Sequence, residues 1–433
     1  MSHFLKNKIT GNAAWIVGCK AVQAVFGLLV SMVTARYLGP ENYGLLNYAA
    51  SLTVFITPLA QLGFTAILVH DFVKEPEKEG EILGTAILTA SMTSILCILG
   101  LWGVLRGLSP EEPLMRTVCI LYSLMLLTQS VEFVQYWFQA KLQSKYPAIF
   151  TLGAYLLLCL AQLLLVATKR GVLWFAPVKS VQYALTAVGL LWLYRKKAGS
   201  RLSFSVARST RLIRESFPYM LAALLVMAYS QADRIMIRAM LGDTEVGYYS
   251  AAIFCANLTE FVFLAVIDSM RPLLLQERGS DASRYELGIS ALYSLMLWFS
   301  LAQSLVFTLL APLIVRILYG AAYLPSVGTL RIIVWYTAFS VLGSARTVWI
   351  QAEGKQRYLW TINLFGALSN IALNALLIPR WGIDGAAFAS LLTQMLANVG
   401  TGFVFRPLRR SNTLLLRALN PKVIVEYFKS VKA

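Results

Sequence analysis

Apolar stretches of about 20 residues recur along the chain from residue 12 to residue 405, with short polar segments between them. An α-helix needs about 20 apolar residues to cross roughly 30 Å of hydrocarbon. The pattern therefore predicts an all-α polytopic membrane protein with twelve transmembrane helices. The predicted spans cover residues 12–35, 43–69, 82–105, 114–138, 147–168, 172–194, 217–241, 245–270, 288–313, 329–351, 358–378 and 385–405.

The polar segment after the first span occurs twice in the sequence. "YLGPENYGLLNYAA" begins at Tyr37, and "MLGDTEVGYYSAA" begins at Met240, between spans seven and eight. At an offset of 203 residues, four pairs coincide: Leu38/Leu241, Gly39/Gly242, Gly44/Gly247 and Ala49/Ala252. Glycine can end a helix in a left-handed conformation, which we expect at Gly39 and Gly242. Six spans are an even number, so both halves start on the same side of the membrane. This predicts a parallel pseudo-two-fold repeat, which is typical of transporters.

The repeat divides the chain into two predicted lobes of six helices. Residues 1–194 form the N-lobe and residues 217–405 form the C-lobe. Between them lies a basic linker, residues 195–216, and a basic tail follows at residues 406–433. Basic segments beside membrane helices are attracted to anionic lipid headgroups. The tail is also partly amphipathic, so we expect it to lie on the inner membrane surface.

Charge sets the expected orientation. Only 14% of residues are charged and 58% are hydrophobic, far from an ordinary soluble domain. With the N-terminus inside, 25 of the 38 Lys and Arg fall on the cytoplasmic side and 4 lie deep within spans. The other 9 fall on the outer side, including Arg116, Arg238 and Arg331 at the outer ends of their spans. The positive-inside rule thus predicts that both termini are cytoplasmic. It also accounts for much of the net charge of +17, so a nucleic-acid partner is not needed to explain it.

Several classes of chemistry are disfavoured. The five cysteines all lie in apolar runs, where buried, reduced residues are expected. Two histidines are too few for a histidine metal cage, so we expect no metal site. The phosphate-binding pattern G-x-x-x-x-G-K-[ST] is absent from the sequence, so the chain has no ATPase site of that kind. No catalytic residues are predicted, and the protein is not expected to be an enzyme.

Ionisable side chains within the spans are the candidate functional residues. A charge at mid-bilayer costs about 2.5–3.5 kcal/mol on insertion scales, so such groups should face the bundle interior or an interface. Asp268, at a span end, is expected at the interface. Polar side chains at helical spacing mark the predicted interior faces: Lys20 with Gln23; Gln129, Glu132, Tyr136 and Gln139; Asn363, Asn370 and Asn374. The ionisable residues are Lys20, Glu132, Lys179, Asp233, Arg234, Glu260, Asp268 and Arg346.

Three stretches carry a resemblance to a known family. "TARYLGPENYGLLNYAASL" resembles the hallmark of the Wzx-type polysaccharide flippases, which belong to the multidrug/oligosaccharidyl-lipid/polysaccharide (MOP) exporter superfamily. "ILYGAAYLPSVGTLRII" (317–333) and "WGIDGAAFASLLTQ" (381–394) are similar to the family's segments before span ten and at the start of span twelve. They occur in the family's order, and the similarity covers nearly the whole chain.

The resemblance implies a V-shaped bundle of two lobes around a central cavity, in the bacterial inner membrane. Its members move undecaprenyl-diphosphate-linked oligosaccharide repeat units from the cytoplasmic to the periplasmic leaflet, for O-antigen, capsule or exopolysaccharide. The implied partners are the lipid-linked oligosaccharide, membrane lipids, and polysaccharide polymerase and chain-length proteins. No cofactor is implied, apart from a coupling ion, H⁺ or Na⁺.

On this basis the embedded cations are candidate ligands of the lipid diphosphate. Lys20 and Lys179 come from the first half, and Arg234 and Arg346 from the second; Arg36 ends the first span within the family motif. Alternatively, these cations form structural ion pairs with embedded carboxylates, or those carboxylates carry ion coupling. The carboxylates concerned are Glu132, Asp233 and Glu260.

Two other functions stay open at this point. A cation-coupled multidrug exporter of the same superfamily would use the embedded carboxylates. A membrane polysaccharide polymerase or ligase would have a large outside loop rich in arginine, whereas the predicted outside loops here are short.

Overall fold

The computed structural model describes residues 2–198 and 200–432. Within those residues the chain is helical and contains no β-strand. It forms two compact units: unit 1 ends at Gln231 and unit 2 begins at Ala232. The boundary falls inside one continuous helix, Val206–Leu241.

Unit 1 contains the first nine α-helices and the start of the tenth. They are α1 (Ser2–Ala60), α2 (Leu68–Lys74), α3 (Glu79–Leu108), α4 (Pro113–Ser123), α5 (Met125–Gln129), α6 (Val134–Ala140), α7 (Lys145–Ala167), α8 (Val172–Phe175), α9 (Val178–Ala198) and the start of α10 (Val206–Leu241). Its buried core includes Phe64, Phe133, Trp137 and Tyr194. The rings of Trp137 and Tyr194 meet edge to face at 5.1 Å, so aromatic packing joins α6 to α9.

Unit 2 contains the end of α10 and the helices that follow it. They are α11 (Asp243–Ala256), α12 (Glu260–Ser280), α13 (Ala282–Leu318), α14 (Ser326–Ile333), α15 (Tyr336–Ala352), α16 (Arg357–Met395), a π-helical turn (Leu396–Gly400), α17 (Thr401–Val404), α18 (Arg409–Arg417) and α19 (Lys422–Lys432). The core of unit 2 includes Phe263, Tyr293 and Trp349, and it also takes in Tyr427 from the tail.

Two of the longest helices reverse direction at a glycine. In α1, the hydroxyls of Ser31 and Tyr43 lie 3.0 Å apart, although a continuous helix would separate them by about 18 Å. The non-helical residue between them is Gly39. In α16 the non-helical residue is Gly382, and a Cβ placed on Gly385 would lie 2.2 Å from the carbonyl oxygen of Leu377. Each of these helices is therefore two antiparallel helices joined by a tight turn.

With these reversals the helices match the predicted spans. Eight helices are long and apolar enough to cross a membrane, or nine when the bent pair α11 and α12 is taken as one span. The reversals in α1 and α16 each add one span, and α9 supplies the sixth. The described helices then follow the twelve predicted spans in order. The chain is a multi-pass membrane protein.

The repeated glycine has the same backbone conformation in both copies. Gly39 has φ 72° and ψ 171°, and Gly242 has φ 99° and ψ −179°. The predicted positive φ is confirmed. The predicted left-handed helical conformation is wrong, because the ψ values of both glycines are extended. They fall in the extended region at positive φ, which is essentially restricted to glycine. Gly320, in the 317–333 motif, adopts the same conformation, with φ 87° and ψ 179°.

The linker is shorter than predicted. The sequence predicts a loop over 195–216, whereas α9 continues to Ala198 and α10 begins at Val206. Residues 206–216 form a helix because this conformation lets an apolar side chain pack into the protein. Leu212 is fully buried in the unit 1 core. Only the strap, which we define as residues 200–205, is non-helical within the described part of the linker.

The strap is held against the N-terminal end of α3. The backbone N–H of Ser203 donates to the carbonyl oxygen of Gly80 at 3.2 Å. A Cβ on Gly80 would lie 2.2 Å from the carbonyl oxygen of Arg201, and a Cβ on Gly84 would lie 2.4 Å from that of Ser203. Two glycines one turn apart therefore allow the strap to approach the helix.

Ion pairs fix the start of α10 beside the strap. Arg208 contacts Glu75 at 2.8 Å and Glu81 at 2.9 Å, and Arg211 contacts Glu75 at 2.9 Å and Asp71 at 3.3 Å. Hydrogen bonds from Arg208 and then Arg211 lower the pKa of Glu75 to about 2. A carboxylate with a lowered pKa stabilises the fold above its ordinary range, and this contribution is lost as the pH falls towards 2.

Candidate functional site

A polar cavity of about 350 Å³ opens in unit 1 between α1, α6 and α7. Its lining is supplied by Cys19, Lys20, Gln23, Gln135, Tyr136, Gln139, Ser144, Pro147, Ala148 and Thr151. Helical spacing explains the set, because Lys20 and Gln23 are three residues apart on α1, and so are Tyr136 and Gln139 on α6. We call this space the Lys20 cavity.

The Lys20 cavity combines one cation with uncharged hydrogen-bonding groups. Its described lining holds no carboxylate, so the ammonium of Lys20 is not neutralised within the cavity wall. Three glutamine amides, a phenol and two hydroxyls surround it. The volume lies within the range typical of small-molecule sites. Such a wall suits an anionic ligand that also carries hydroxyl groups, because lysine attracts phosphate as a point charge.

The predicted polar face of span four is only partly present in this cavity. Tyr136 and Gln139 line it, but Gln129 and Glu132 do not. The prediction assumed one continuous α-helix, whereas the chain passes through a 3₁₀ turn at Ser130–Phe133 between α5 and α6. A 3₁₀ helix has 3.0 residues per turn rather than 3.6, so the spacing of one continuous α-helix does not hold across the turn. Glu132, within the turn, is still close enough to Tyr136 for an electrostatic interaction.

Lys179 lies on α9 in a second polar group of unit 1. Its ammonium donates to Oε1 of Gln182 at 3.2 Å and sits 5.5 Å from the ring centre of Tyr155. Glu132 is close enough for an electrostatic interaction with Lys179, without a direct salt bridge between them. Arg36 ends the first helix of α1, just before the Gly39 turn, and its side chain is exposed.

Asp233 forms the most enclosed polar network of unit 2. Its carboxylate is buried and accepts hydrogen bonds from Asn370 at 3.0 Å and from Asn374 at 2.7 Å. The other carboxylate oxygen accepts from the hydroxyls of Tyr249 and Ser390. Four uncharged donors from three separate segments thus stabilise one buried negative charge.

One amide oxygen of the same network is not used, because Oδ1 of Asn374 is buried and has no hydrogen-bond partner among the described residues. Oγ1 of Thr393 is likewise buried and without such a partner. Thr393 lies one turn after Ser390 on α16. Carboxylate, amide and hydroxyl oxygens are the ligand types that hard cations prefer. The network therefore has the composition of a site that could take up H⁺ or a small cation.

The remaining candidates of unit 2 occupy three different settings. Arg234 donates its Nε to the hydroxyl of Ser250 at 3.2 Å, across the Gly242 turn. Glu260 is the first residue of α12, at a bend of 41° after α11. It lines a small pocket with Asn257 and the hydroxyls of Thr337, Ser340 and Ser344. Asp268 is exposed and pairs with Arg271 at 3.4 Å.

Arg346 is enclosed within unit 2, with 4% of its surface exposed. Its Nη1 donates to the carbonyl oxygen of Asn398, in the π-helical turn, and to the hydroxyl of Thr401 at 3.1 Å. Its Nε and Nη2 have no hydrogen-bond partner among the described residues. A π-turn interrupts the regular i→i+4 bonding of an α-helix, and the buried guanidinium donates to a carbonyl within this turn.

Sequence reasoning missed two residues of these sites. Tyr249 and Ser390 lie within recognised motifs, "MLGDTEVGYYSAA" and "WGIDGAAFASLLTQ", but no spacing rule links them to Asp233. They are brought together because the chain reverses at Gly242 and again at Gly382. The signal that could have found them is the pairing of the motifs themselves.

Comparison with known proteins places the chain in a polysaccharide biosynthesis family. A family model described as "Polysaccharide biosynthesis protein" matches residues 9–276. The succinoglycan biosynthesis transport protein ExoT of Rhizobium meliloti is 24% identical over 267 residues, which cover 60% of this chain and 52% of ExoT. The chain spans about half the length of the curated relatives it matches.

Solved structures share the fold over almost the full chain. The lipid II flippase MurJ, in an inward closed conformation, aligns with a TM-score of 0.70 over 96% of this chain and 92% of that one, at 13% identity. An inward-facing multidrug resistance transporter of the MATE family, from the MOP superfamily, aligns with a TM-score of 0.66 over 90% and 95%, at 13% identity. At such identity the likeness shows the fold alone, and it confirms the predicted all-α membrane fold.

Proposed function

Because this chain belongs to the polysaccharide biosynthesis protein family, we propose that it moves undecaprenyl-diphosphate-linked oligosaccharide repeat units across the bacterial inner membrane. The direction is from the cytoplasmic to the periplasmic leaflet, by alternating access, for the synthesis of O-antigen, capsule or exopolysaccharide. The observation that carries the proposal is the Lys20 cavity, where a lysine without a carboxylate partner in the wall stands among amides and hydroxyls.

The Lys20 cavity matches the chemistry of a lipid-linked sugar headgroup. A diphosphate brings negative charge, which the ammonium of Lys20 attracts. The glutamines Gln23, Gln135 and Gln139 can each donate and accept, which suits sugar hydroxyls. Arg36, Lys179, Arg234 and Arg346 remain proposed ligands of the same substrate at other stages of its passage.

The transport step needs an energy source outside the chain's own chemistry. We propose that an H⁺ or Na⁺ gradient drives it and that Asp233 holds the coupling ion. The support is the buried carboxylate of Asp233 together with the unused amide oxygen of Asn374, whose Nδ2 donates to that carboxylate. Glu132 and Glu260 are the alternative carriers. Covalent catalysis has no place in this scheme, so we propose a transporter rather than an enzyme.

A cation-coupled multidrug exporter is the second candidate, since a MATE-family transporter shares the fold. The Lys20 cavity argues against it, because a lysine in the cavity repels the organic cations that such an exporter would carry. A polysaccharide polymerase or ligase is less well supported, since the family match and the ExoT relative concern biosynthesis and transport proteins.

The proposed orientation places both termini in the cytoplasm. It rests on 25 Lys and Arg inside against 9 outside. Reporter fusions at Ser205 and after Lys432 should report the cytoplasm, and fusions at Ser109 and Asp384 the periplasm. A reversed result at either pair of sites would refute this orientation.

Substitutions at Lys20 test the proposed function. In a strain that lacks the native gene, Lys20→Ala should lower surface polysaccharide about 10- to 100-fold, the factor expected for a lost charge-assisted contact of roughly 1.5–3 kcal/mol. Lys20→Arg should keep part of the activity, and Lys20→Glu should keep least. The measurement is surface polymer normalised to the amount of protein in the membrane.

The matched control is Lys74→Ala, which removes an exposed lysine on α2 outside the cavity. It should leave surface polymer unchanged. Full activity of Lys20→Ala at a normal protein level would exclude Lys20 from substrate binding.

A further inference from the structure

The C-terminal tail is an amphipathic structure whose inner face is fixed to unit 2. Five apolar side chains of the tail are buried in the unit 2 core: Leu408, Leu414, Ala418, Val423 and Tyr427. Arg410 pairs with Glu286 through a hydrogen bond of 2.7 Å, and the hydroxyl of Tyr427 donates to the buried carboxylate of Glu277 at 3.2 Å. The tail therefore has a defined orientation on the protein.

The outer face of the tail is apolar and basic at once. Leu416, Leu419, Val425 and Phe428 keep between 47% and 59% of their surface exposed. Arg417, Lys422 and Lys429 are exposed beside them. Residues 406–433 contain seven Lys and Arg and a single acidic residue, Glu426. Exposed large apolar groups bordered by cations are the pattern of a helix that lies in a membrane interface.

The tail is also joined to the last span. The amide of Asn412 donates to the carbonyl oxygen of Val399, inside the π-helical turn, at 3.0 Å. A Cβ on Gly402 would lie 2.1 Å from Oδ1 of Asn412, so the two segments are in close contact. The hydroxyls of Ser411 and Tyr293 lie 3.0 Å apart. The tail is therefore held against the π-turn that Arg346 also contacts.

We propose that the outer face of α18 and α19 binds the anionic phospholipid headgroups of the leaflet next to it. The charge is complementary, and the tail begins within five residues of the last transmembrane residue, Val404, which keeps it at the bilayer surface. Each basic residue near an anionic surface strengthens binding about fivefold. The inference is independent of the transported substrate.

The test uses the full-length protein in nanodiscs of phosphatidylcholine, with and without phosphatidylglycerol. An environment-sensitive fluorophore is attached at Phe428→Cys, in a Cys97→Ala background, since the other native cysteines are buried. The matched control is Ser430→Cys, on the partly buried flank of α19 three residues after Tyr427. A quencher carried on the lipid headgroups should quench the label at 428 in phosphatidylglycerol at least about twofold more than the label at 430.

Neutralising three cations then tests whether their charge is responsible for binding to anionic lipid. Arg417→Gln, Lys422→Gln and Lys429→Gln together should remove the dependence on phosphatidylglycerol. The same change at Arg106, Lys169 and Arg380, which are exposed elsewhere, should preserve it. Equal quenching at 428 in both lipid compositions would overturn the proposal. So would a label at 428 that becomes shielded only when other polysaccharide-synthesis proteins are added, because the face would then belong to a protein partner.

Discussion

Lys20 and Asp233 represent two ways of keeping an ionised side chain inside a membrane protein. Lys20 is exposed to a polar cavity, where water and a ligand can solvate its charge. Asp233 is enclosed, and four hydrogen bonds take the place of water. The alternative for either group is a cost of about 2.5–3.5 kcal/mol in hydrocarbon. The first arrangement suits a substrate that enters and leaves, and the second suits a small ion.

Asp233→Asn tests the role of the buried network. The substitution keeps the shape but removes the charge, so an ion that stabilises the folded protein should no longer do so. For the wild type we expect Na⁺ or a change in pH to alter the thermal unfolding temperature by an amount that corresponds to about 1–3 kcal/mol. Asp233→Asn should abolish this response, and it should also stop transport.

Asp268→Asn is the matched control for that experiment, because it makes the same change at an exposed carboxylate. It should retain both the ion response and transport. An Asp233→Asn protein that transports normally and responds to ions like the wild type would make the network structural.

At the scale of elements, the repeated turn is the feature on which the arrangement of helices depends. Gly39 and Gly242 adopt a backbone conformation that other residues reach only with strain, and neither has a neighbouring atom within 4 Å of a Cβ. A substitution there tests the backbone alone, without a steric clash.

Gly39→Ala and Gly242→Ala should each destabilise the protein by about 1–3 kcal/mol, the cost of a strained residue. Gly100→Ala is the control, since Gly100 is a regular helical residue of α3 with open space around it. It should be neutral or stabilising by up to about 1 kcal/mol, because alanine favours the helix. Thermal unfolding of the solubilised protein measures both effects. Equal stability of all three variants would show that the turn does not need glycine.

The order and number of the spans could be predicted because each depends only on local hydrophobicity. The Gly39 turn could be predicted for a similar reason, since the repeat at 203 residues marks a local backbone requirement. The contents of the sites were harder. Gln129 and Glu132 do not line the Lys20 cavity. A 3₁₀ turn interrupts the α-helix at Ser130–Phe133, and hydrophobic periodicity does not detect that change of pitch.

Long-range contacts account for the other differences. The start of α10 is helical because Leu212 enters a core made largely by distant residues, and because Arg208 finds Glu75 and Glu81 far away in the chain. Asp233 gathers Tyr249, Asn374 and Ser390 only after two chain reversals. The hydrophobic pattern of a single helix does not predict such contacts between residues far apart in the sequence.

At the scale of the whole molecule, the family match confirms the resemblance read from the motifs. The fold is shared with MurJ and with a MATE-family transporter. Fold does not decide the substrate, because the same architecture carries different cargo. The distinguishing information lies in the Lys20 cavity, which favours an anionic ligand with hydroxyl groups. Which substrate the protein carries is therefore the property to measure directly.

That measurement is translocation by the purified protein in liposomes that contain an undecaprenyl-diphosphate-linked oligosaccharide with a fluorescent sugar. A quencher that cannot cross the membrane reports how fast the labelled headgroup changes leaflet. We predict that the wild-type protein accelerates this movement well above protein-free liposomes, that Lys20→Glu does not, and that a lipophilic organic cation is not carried. Movement of the organic cation without movement of the lipid-linked oligosaccharide would contradict the account.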